Sequence, residues 1–222
     1  MPSLLDLVAT IPDFDISSRR NPSDIIIQAV TADSRSVMPG ALFVAVKGGR
    51  VDGHRFIANA VERGATAVLG TLAPATLAAQ GISLPDDVAY VRVADSRRAL
   101  AICSAAWYGF PSATLTVIGV TGTDGKTTTS SLIEAVLAVA TAEDGADAGR
   151  VGMITTVGAL IRGQESDTGL HVTTPDAPDV QRFLAQMRDA GCQYAVVEST
   201  SHGLNQDRVA AVDFDIAAVT NI

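Results

Sequence analysis

Lys126 stands within Thr121-Gly122-Thr123-Asp124-Gly125-Lys126-Thr127-Thr128-Thr129, a spacing of residue types suited to holding a polyphosphate. Glycines let backbone N–H groups approach phosphate oxygens, because no side chain stands in the way. The lysine supplies a compact cation that reaches β- and γ-phosphates, and the Thr127 hydroxyl can bind Mg²⁺. The usual pattern is G-x-x-x-x-G-K-[ST]. Here Val120 occupies the first glycine position and Gly122 shortens the spacing. The same residues also suit a Gly-rich turn at the start of a buried helix. The flanks favour phosphate: an apolar run at 115–120 precedes the turn and a helical pattern at 130–140 follows it. A helix starting there adds its N-terminal partial positive charge.

A second candidate is Glu198, which closes the apolar run 194–197. An acid at the C-terminal end of a strand beside such a loop is placed to hold Mg²⁺. An ordinary solvent-facing strand-end acid is the plain alternative. The polar stretch Ser199-Thr200-Ser201-His202-Gly203 that follows favours the metal role. His202 suits a base, a ligand or a loop hydrogen-bonder equally well. Thr173-Thr174-Pro175-Asp176 precedes a helix, with Asp176 able to cap it and the threonines able to meet a polar substrate. Asp33-Ser34-Arg35 and Gly48-Gly49-Arg50-Val51-Asp52-Gly53-His54 lie at strand ends. Taken alone they read first as turns, although Gly49 and Arg50 also suit a phosphate.

The elements that position these residues are readable from periodicity. Strands are expected at 25–30, 41–46, 65–69 and 88–93, with helices at 56–61 and from Asp95 or Ser96 to about 108. Gly109-Phe110-Pro111 ends that helix. Two domains follow, 1–111 and 112–222. The second alternates strand and helix: 115–120, 130–140, a polar loop at 142–150, a strand over 151–161, a helix at 179–190, and strands at 194–198 and 214–220. This order predicts an α/β class fold, with a small N-terminal α/β domain followed by a doubly wound, mostly parallel sheet bearing the P-loop. Ligands are expected at the C-terminal strand edge.

Composition narrows the partners. Lys+Arg 16 against Asp+Glu 24 gives a net charge of −8, which argues against non-specific nucleic-acid binding. A hydrophobic fraction of 47% supports a real core, yet no apolar run approaches the roughly 20 residues that span a bilayer. Residues 1–10 carry no basic region followed by an apolar block. Cys103 and Cys192 read as buried free thiols in a reducing cytoplasm. Oligomeric state is not legible, and a monomer is the default expectation.

Taken together these motifs resemble the Mur ligases, most of all members that add the third amino acid to UDP-N-acetylmuramoyl-L-alanyl-D-glutamate. The resemblance covers nearly the whole chain. It is carried by Asp33-Ser34-Arg35, Pro39-Gly40-Ala41-Leu42-Phe43-Val44-Ala45, Asp52-Gly53-His54, the loop 121–128, Thr173-Thr174-Pro175-Asp176-Ala177 and Glu198-Ser199-Thr200-Ser201-His202-Gly203-Leu204. It implies a uridine-binding N-terminal domain and an ATPase central domain. Ala32, Ser34, Gly49, Arg50 and Val51 would then contact UDP. Gly122, Thr123, Asp124, Gly125, Lys126, Thr127 and Thr128 would bind ATP. Thr173, Thr174, Thr200, Gln206 and Arg208 would hold the muramoyl-dipeptide. Glu198 and Thr127 would bind Mg²⁺, and Lys126 and Glu198 would be catalytic. Thr200 stands where Ser is expected, and Val172 where some members have Asn.

The resemblance also implies a mechanism. The dipeptide carboxylate would take the γ-phosphoryl group, and the amine of a free amino acid would displace phosphate. An apolar strand at the end of the chain suggests a truncated central domain, with the amino-acid-binding domain outside these 222 residues. On that reading the chain binds the UDP-linked substrate, and ATP only weakly, without turnover. Another ligase of the same fold, such as a folylpolyglutamate synthetase, and a non-catalytic P-loop regulatory module are the competing readings. The residues that would choose diaminopimelate, lysine or another amine would belong to that amino-acid-binding domain.

Overall fold

Ala41-Leu42-Phe43-Val44 is buried along its whole length, as expected of a strand covered on both faces of a parallel sheet. In the computed structural model, which describes residues 1–48, 51–142, 149–155, 158–166 and 175–222, this strand lies in the first of two units, Met1–Trp107. That unit runs α1 (Leu4–Val8), β1 (Asp15–Ser17), β2 (Ala29–Thr31), β3 (Ala41–Val44), α2 (Ile57–Glu62), β4 (Ala67–Gly70), α3 (Pro74–Ala79), β5 (Ala89–Arg92) and α4 (Ser96–Trp107). Short 3-10 helices lie at Pro22–Asp24, Ser34–Ser36 and Gly53–Phe56. The sheet order is β1-β5-β4-β3-β2, with β1 the antiparallel edge and the others parallel.

The period-two alternation of strands divides this unit's core in two. Leu42, Val44, Leu69 and Val91 pack with Leu4 and Leu7 of α1 and with Leu100 and Cys103 of α4. Phe43, Val68 and Tyr90 pack with Ile57 and Ala60 of α2 and Leu77 of α3. Asp95 starts α4, its carboxylate accepting the N–H groups of Arg97 and Arg98 at 2.9 and 3.2 Å.

The second unit, Tyr108–Ile222, opens with a 3-10 helix at Pro111–Thr114. It continues β6 (Thr116–Thr121), α5 (Lys126–Thr141), β7 (Val151–Ile154), β8 (Ala159–Ile161), β9 (Gln164–Ser166), α6 (Ala177–Asp189), β10 (Tyr194–Glu198), α7 (Ser201–Asn205) and β11 (Ile216–Val219). The sheet order is β11-β6-β10-β7-β8-β9. The first four strands are parallel and the last two antiparallel. Val117, Ile154, Ala195 and Val197 pack with Val180, Phe183, Leu184 and Met187 of α6. Ile118, Val120, Val151 and Val196 form a separate cluster with Ile133 and Leu137 of α5. Helices on both faces make the sheet doubly wound, as the alternation of elements predicts.

Three expectations need correction. The single strand expected over 151–161 is two antiparallel strands, with Gly152 opposite Ile161. The Thr155 N–H donates to the Gly158 carbonyl between the two strands, where Thr155-Thr156-Val157-Gly158 carries no Pro or Asn-Gly pair to mark a reversal. The strand expected at 25–30 begins only at Ala29. Its earlier residues serve the N-terminus instead: the Leu4 N–H donates to the Ile25 carbonyl and the Ile27 N–H to that of Pro2. The helix expected from Phe56 is preceded by a 3-10 turn from Gly53, capped by the Asp52 carboxylate accepting the His54 N–H at 3.0 Å. β1, β9, α3 and α7 escaped the sequence reading because none exceeds 6 residues, too short for a periodic signal. Among the described residues, no helix is long and apolar enough to cross a membrane.

Phe183 is fully buried at the centre of the α6 core. Phe183→Ala is expected to lower the unfolding free energy of the second unit by about 3–5 kcal/mol. Urea titration followed by circular dichroism measures this, and a loss under about 1 kcal/mol would remove Phe183 from the core.

Candidate functional site

The glycine turn between β6 and α5 follows from backbone freedom. Gly122 has φ +136° and Gly125 φ +76°, left-handed values that side chains disfavour. A Cβ on Gly122 would also run into the Thr220 hydroxyl. Gly125 is the N-cap of α5 and offers no side chain, so the first-turn amides of Lys126, Thr127 and Thr128 have no intrahelical acceptor. These amides and the helix dipole make an anion site. Lys126 folds over the turn, its Nζ donating to the carbonyls of Gly122 at 2.8 Å and Thr123 at 2.9 Å.

β10 lies beside β6 in parallel register, which sets Glu198 level with Val120 at the strand ends. Glu198 is 1% exposed. The Thr127 hydroxyl donates to its Oε2 at 2.9 Å. The structure therefore brings together the two residues expected to share Mg²⁺. Among the described residues no group of three or more His, Cys, Asp or Glu forms a metal cage. One carboxylate and one hydroxyl beside a phosphate loop is the kind of hard-oxygen donor set Mg²⁺ uses, because that ion keeps waters and takes substrate phosphates as ligands. The residues fit the ion.

On its other side β6 pairs with β11, and the end of that strand reaches the loop. The Asn221 side-chain oxygen accepts the N–H groups of Thr123 at 2.7 Å and Asp124 at 3.1 Å. The Thr220 hydroxyl donates to the Asp124 carbonyl at 2.6 Å. The sequence reading missed both residues, since nothing local marks a strand-end Thr-Asn as a partner for a loop about 98 positions away.

Thr200, Gln206 and Arg208 also gather. Thr200 caps α7 by accepting the Gly203 N–H at 3.0 Å. Arg208 donates to the Gln206 side-chain oxygen at 2.8 and 3.1 Å and lies 3.3 Å from the Asp176 carboxylate. Asp176 is the N-cap residue of α6, yet its side chain makes no capping bond, which corrects the capping expectation: the carboxylate faces Arg208 instead. Arginine only donates, so the Gln206 oxygen faces Arg208 and its NH₂ faces His202 Nε2, 2.8 Å away. The NH₂ donates, so the ring accepts there and carries its proton on Nδ1. His202 thus joins the cluster of Gln206, Arg208 and Asp176.

In the first unit the loops after β2 and β3 share one sheet edge, because these strands are parallel neighbours. Ala32 is exposed and Ser34 buried. Val51 is exposed, and its carbonyl accepts the Gly48 N–H where Lys47 and Asp52 bridge. Gly49, Arg50, Val172, Thr173, Thr174 and most of the polar loop expected at 142–150 lie outside the described residues. Asp52 holds the buried His54 ring, Nδ1 to Oδ1, at 2.6 Å. The Thr71 N–H donates to Nε2 at 3.0 Å, so Nε2 accepts and Nδ1 donates to Asp52.

Two carboxyls here are perturbed. The Arg35 side chain, donating to Asp33 at 2.9 to 3.2 Å, holds the Asp33 carboxyl below its ordinary value of 3.8. Burial alone would raise Asp52, but hydrogen bonds from the His54 N–H and ring outweigh it and also hold it below 3.8. Cys103 and Cys192 are free and buried. Burial pushes the Cys103 thiol up to about 12, leaving it inert.

Strand, glycine turn, helix and a strand-end carboxylate on a doubly wound sheet define a P-loop α/β protein. A model described as "Mur ligase family, catalytic domain" matches residues 26–108, and the Mur ligase middle domain model matches 120–222. The chain belongs to the Mur ligase family. It is 44% identical over 220 residues to UDP-N-acetylmuramoyl-L-alanyl-D-glutamate--2,6-diaminopimelate ligase of Chlorobium phaeobacteroides, a match covering 99% of this chain and 40% of that protein. A solved ligase of that same name has a TM-score of 0.74 at 23% identity, over 99% of this chain and 40% of its own. MurF ligase of Thermotoga maritima, solved in complex with ADP, has a TM-score of 0.52 at 24% identity, over 90% of this chain and 38% of its own. These two structures support the fold. The chain thus spans about 40% of the length of the relatives it matches.

Depressed carboxyl pKa values stabilise the fold above the unfolded value, and that contribution is lost as pH falls through the folded one. The unfolding temperature of the first unit is expected to hold from neutrality to about pH 5 and to fall below about pH 4 as Asp33 and Asp52 protonate. Asp52→Asn should flatten this fall in calorimetry at stepped pH, and an unchanged profile would contradict the assignment.

Proposed function

We propose that the whole protein uses ATP to join an amino acid to UDP-N-acetylmuramoyl-L-alanyl-D-glutamate in cytoplasmic peptidoglycan synthesis. The observation carrying this reading is the 2.9 Å bond that sets the loop hydroxyl of Thr127 on the buried Glu198 carboxylate. Family membership and the printed activity of the Chlorobium relative support the choice of substrate. The convergence of Gln206, Arg208, His202 and Asp176 in the same unit supports an acidic, polar substrate beside the nucleotide.

The chemistry follows from the electrophile problem. The terminal carboxylate of the dipeptide resists attack by an amine. In the proposed path its oxygen bonds to the γ-phosphorus while the bond from that phosphorus to the β-γ bridging oxygen breaks, and ADP leaves. The amine of the incoming amino acid then bonds to the acyl carbon, the carbon–oxygen bond to phosphate breaks, and the amine gives up a proton. Lys126 can swing from the Gly122 and Thr123 carbonyls to the transferring phosphoryl oxygens and offset their charge. The first-turn amides of α5 hold the remaining phosphate oxygens. Glu198 and Thr127 would hold Mg²⁺, which when bound neutralises phosphate charge. Arg208, held by Gln206 and Asp176, would meet a substrate carboxylate. In the first unit, Ala32, Ser34 and the turn 49–51 at the shared strand edge would receive UDP.

Calorimetry on the 222-residue chain is expected to show binding of UDP-N-acetylmuramoyl-dipeptide and of MgATP. Lys126→Ala should weaken MgATP about ten- to hundred-fold, the worth of a charge-assisted hydrogen bond, and leave the UDP ligand unaffected. Absence of both ligands from the unaltered chain would sink the reading. Because the chain corresponds to 40% of such a ligase, no phosphate release above background is expected from it alone; sustained release would overturn that expectation.

A further inference from the structure

We infer that Asn221 is a positioning residue for the phosphate-binding loop, aided by Thr220, an inference that rests on the nucleotide reading above. Thr123 and Asp124 lie between two glycines with positive φ, Gly122 and Gly125, so this peptide segment has the most backbone freedom to lose when it grips a phosphate. In the structure that freedom is already removed. Asn221 Oδ1 takes the Thr123 and Asp124 N–H groups at 2.7 and 3.1 Å, and the Thr220 hydroxyl bonds the Asp124 carbonyl at 2.6 Å. Both peptide groups of Asp124 are therefore pinned from the end of β11. The Thr220 N–H donates to the Thr121 carbonyl at 2.9 Å, extending the β11–β6 ladder to this clamp.

The amides that Asn221 occupies are not those of the first turn of α5. Lys126, Thr127 and Thr128 keep their N–H groups for phosphate, so Asn221 shapes the loop without competing with the ligand. An unclamped loop would have to be ordered by the nucleotide, and affinity would fall by that ordering cost. Asn221 thus acts on affinity through preorganisation rather than contact.

Two readouts on the 222-residue chain test this. Amide hydrogen exchange at Thr123 and Asp124 in the nucleotide-free chain reports the clamp itself, and calorimetric titration with MgADP reports its consequence. Asn221→Ala is expected to speed exchange at these two amides at least about ten-fold and to weaken MgADP about ten-fold, consistent with the net worth of a hydrogen-bond pair. The unfolding midpoint should stay unchanged. Asn221→Asp keeps an acceptor oxygen in place and is expected to restore slow exchange. If Asn221→Ala exchanges and binds within two-fold of the unaltered chain, the inference is overturned. If the unaltered chain fails to bind MgADP, the nucleotide reading falls and this inference with it. If the unfolding midpoint of Asn221→Ala falls, Asn221→Asp decides at its own midpoint: slow exchange confined to the Thr123 and Asp124 amides, with the midpoint unchanged, supports the clamp, and fast exchange at those two amides refutes it.

Discussion

Glu198 is the constraint on which the site depends. A carboxyl group 1% exposed to solvent must recover its lost hydration from partners. Its partner in the structure is a neutral hydroxyl, that of Thr127, which accepts no charge. Among the described residues no basic side chain pairs with it, and Lys126 is held by loop carbonyls. A buried acid with only a hydroxyl partner suits the cation proposed above. The β10–β6 ladder prevents it from turning away, because Glu198 ends a strand bonded on both sides, by β6 and by β7. Its neighbour Ser199 continues the pairing by donating its N–H to the Val120 carbonyl.

The parallel sheet gives the loop its setting as well. β6 is flanked by β10 and β11, and all three point the same way, so the turns that follow them emerge at one edge. Residues far apart in sequence meet there without any long-range signal between them: Thr127 with Glu198, and Thr123 with Asn221. The two cores on opposite faces of the sheet, around Phe183 and around Ile133, hold α6 and α5 in place. Packing thus fixes where the first turn of α5 aims its free N–H groups.

What could be read beforehand divides along physical lines. The buried strands were legible because continuous apolar runs have few other uses, and β10 lies where the run 194–198 places it. The glycine turn was legible because positive φ demands glycine. Reversals were not legible where no Pro or Asn-Gly pair marks them, as between β7 and β8, where the sequence reads Thr155-Thr156-Val157-Gly158. The Asn221 clamp was illegible for another reason: its partner is set by sheet order, and a sequence does not display which strands are neighbours. Asp176 shows the same limit from the other side. It has the residue type and position of a cap, but Arg208, brought near by α7 and the turn after it, draws its carboxylate away.

Several residues expected to meet ligands already have internal partners. The Thr200 hydroxyl holds the Gly203 N–H, Gln206 bridges Arg208 and His202, and Lys126 holds two carbonyls. Each bond to a ligand must therefore replace a bond the free chain makes, so the net gain per contact is small, about 1 kcal/mol for a neutral pair. The compensation is that these side chains have already lost rotamer freedom, and binding has less disorder to remove. Selectivity in such a site comes from groups that cannot be satisfied by the wrong ligand. The buried Glu198 carboxyl and the first-turn amides of α5, which have no intrahelical acceptor, are two such groups, and they suit the metal-bound phosphate proposed above.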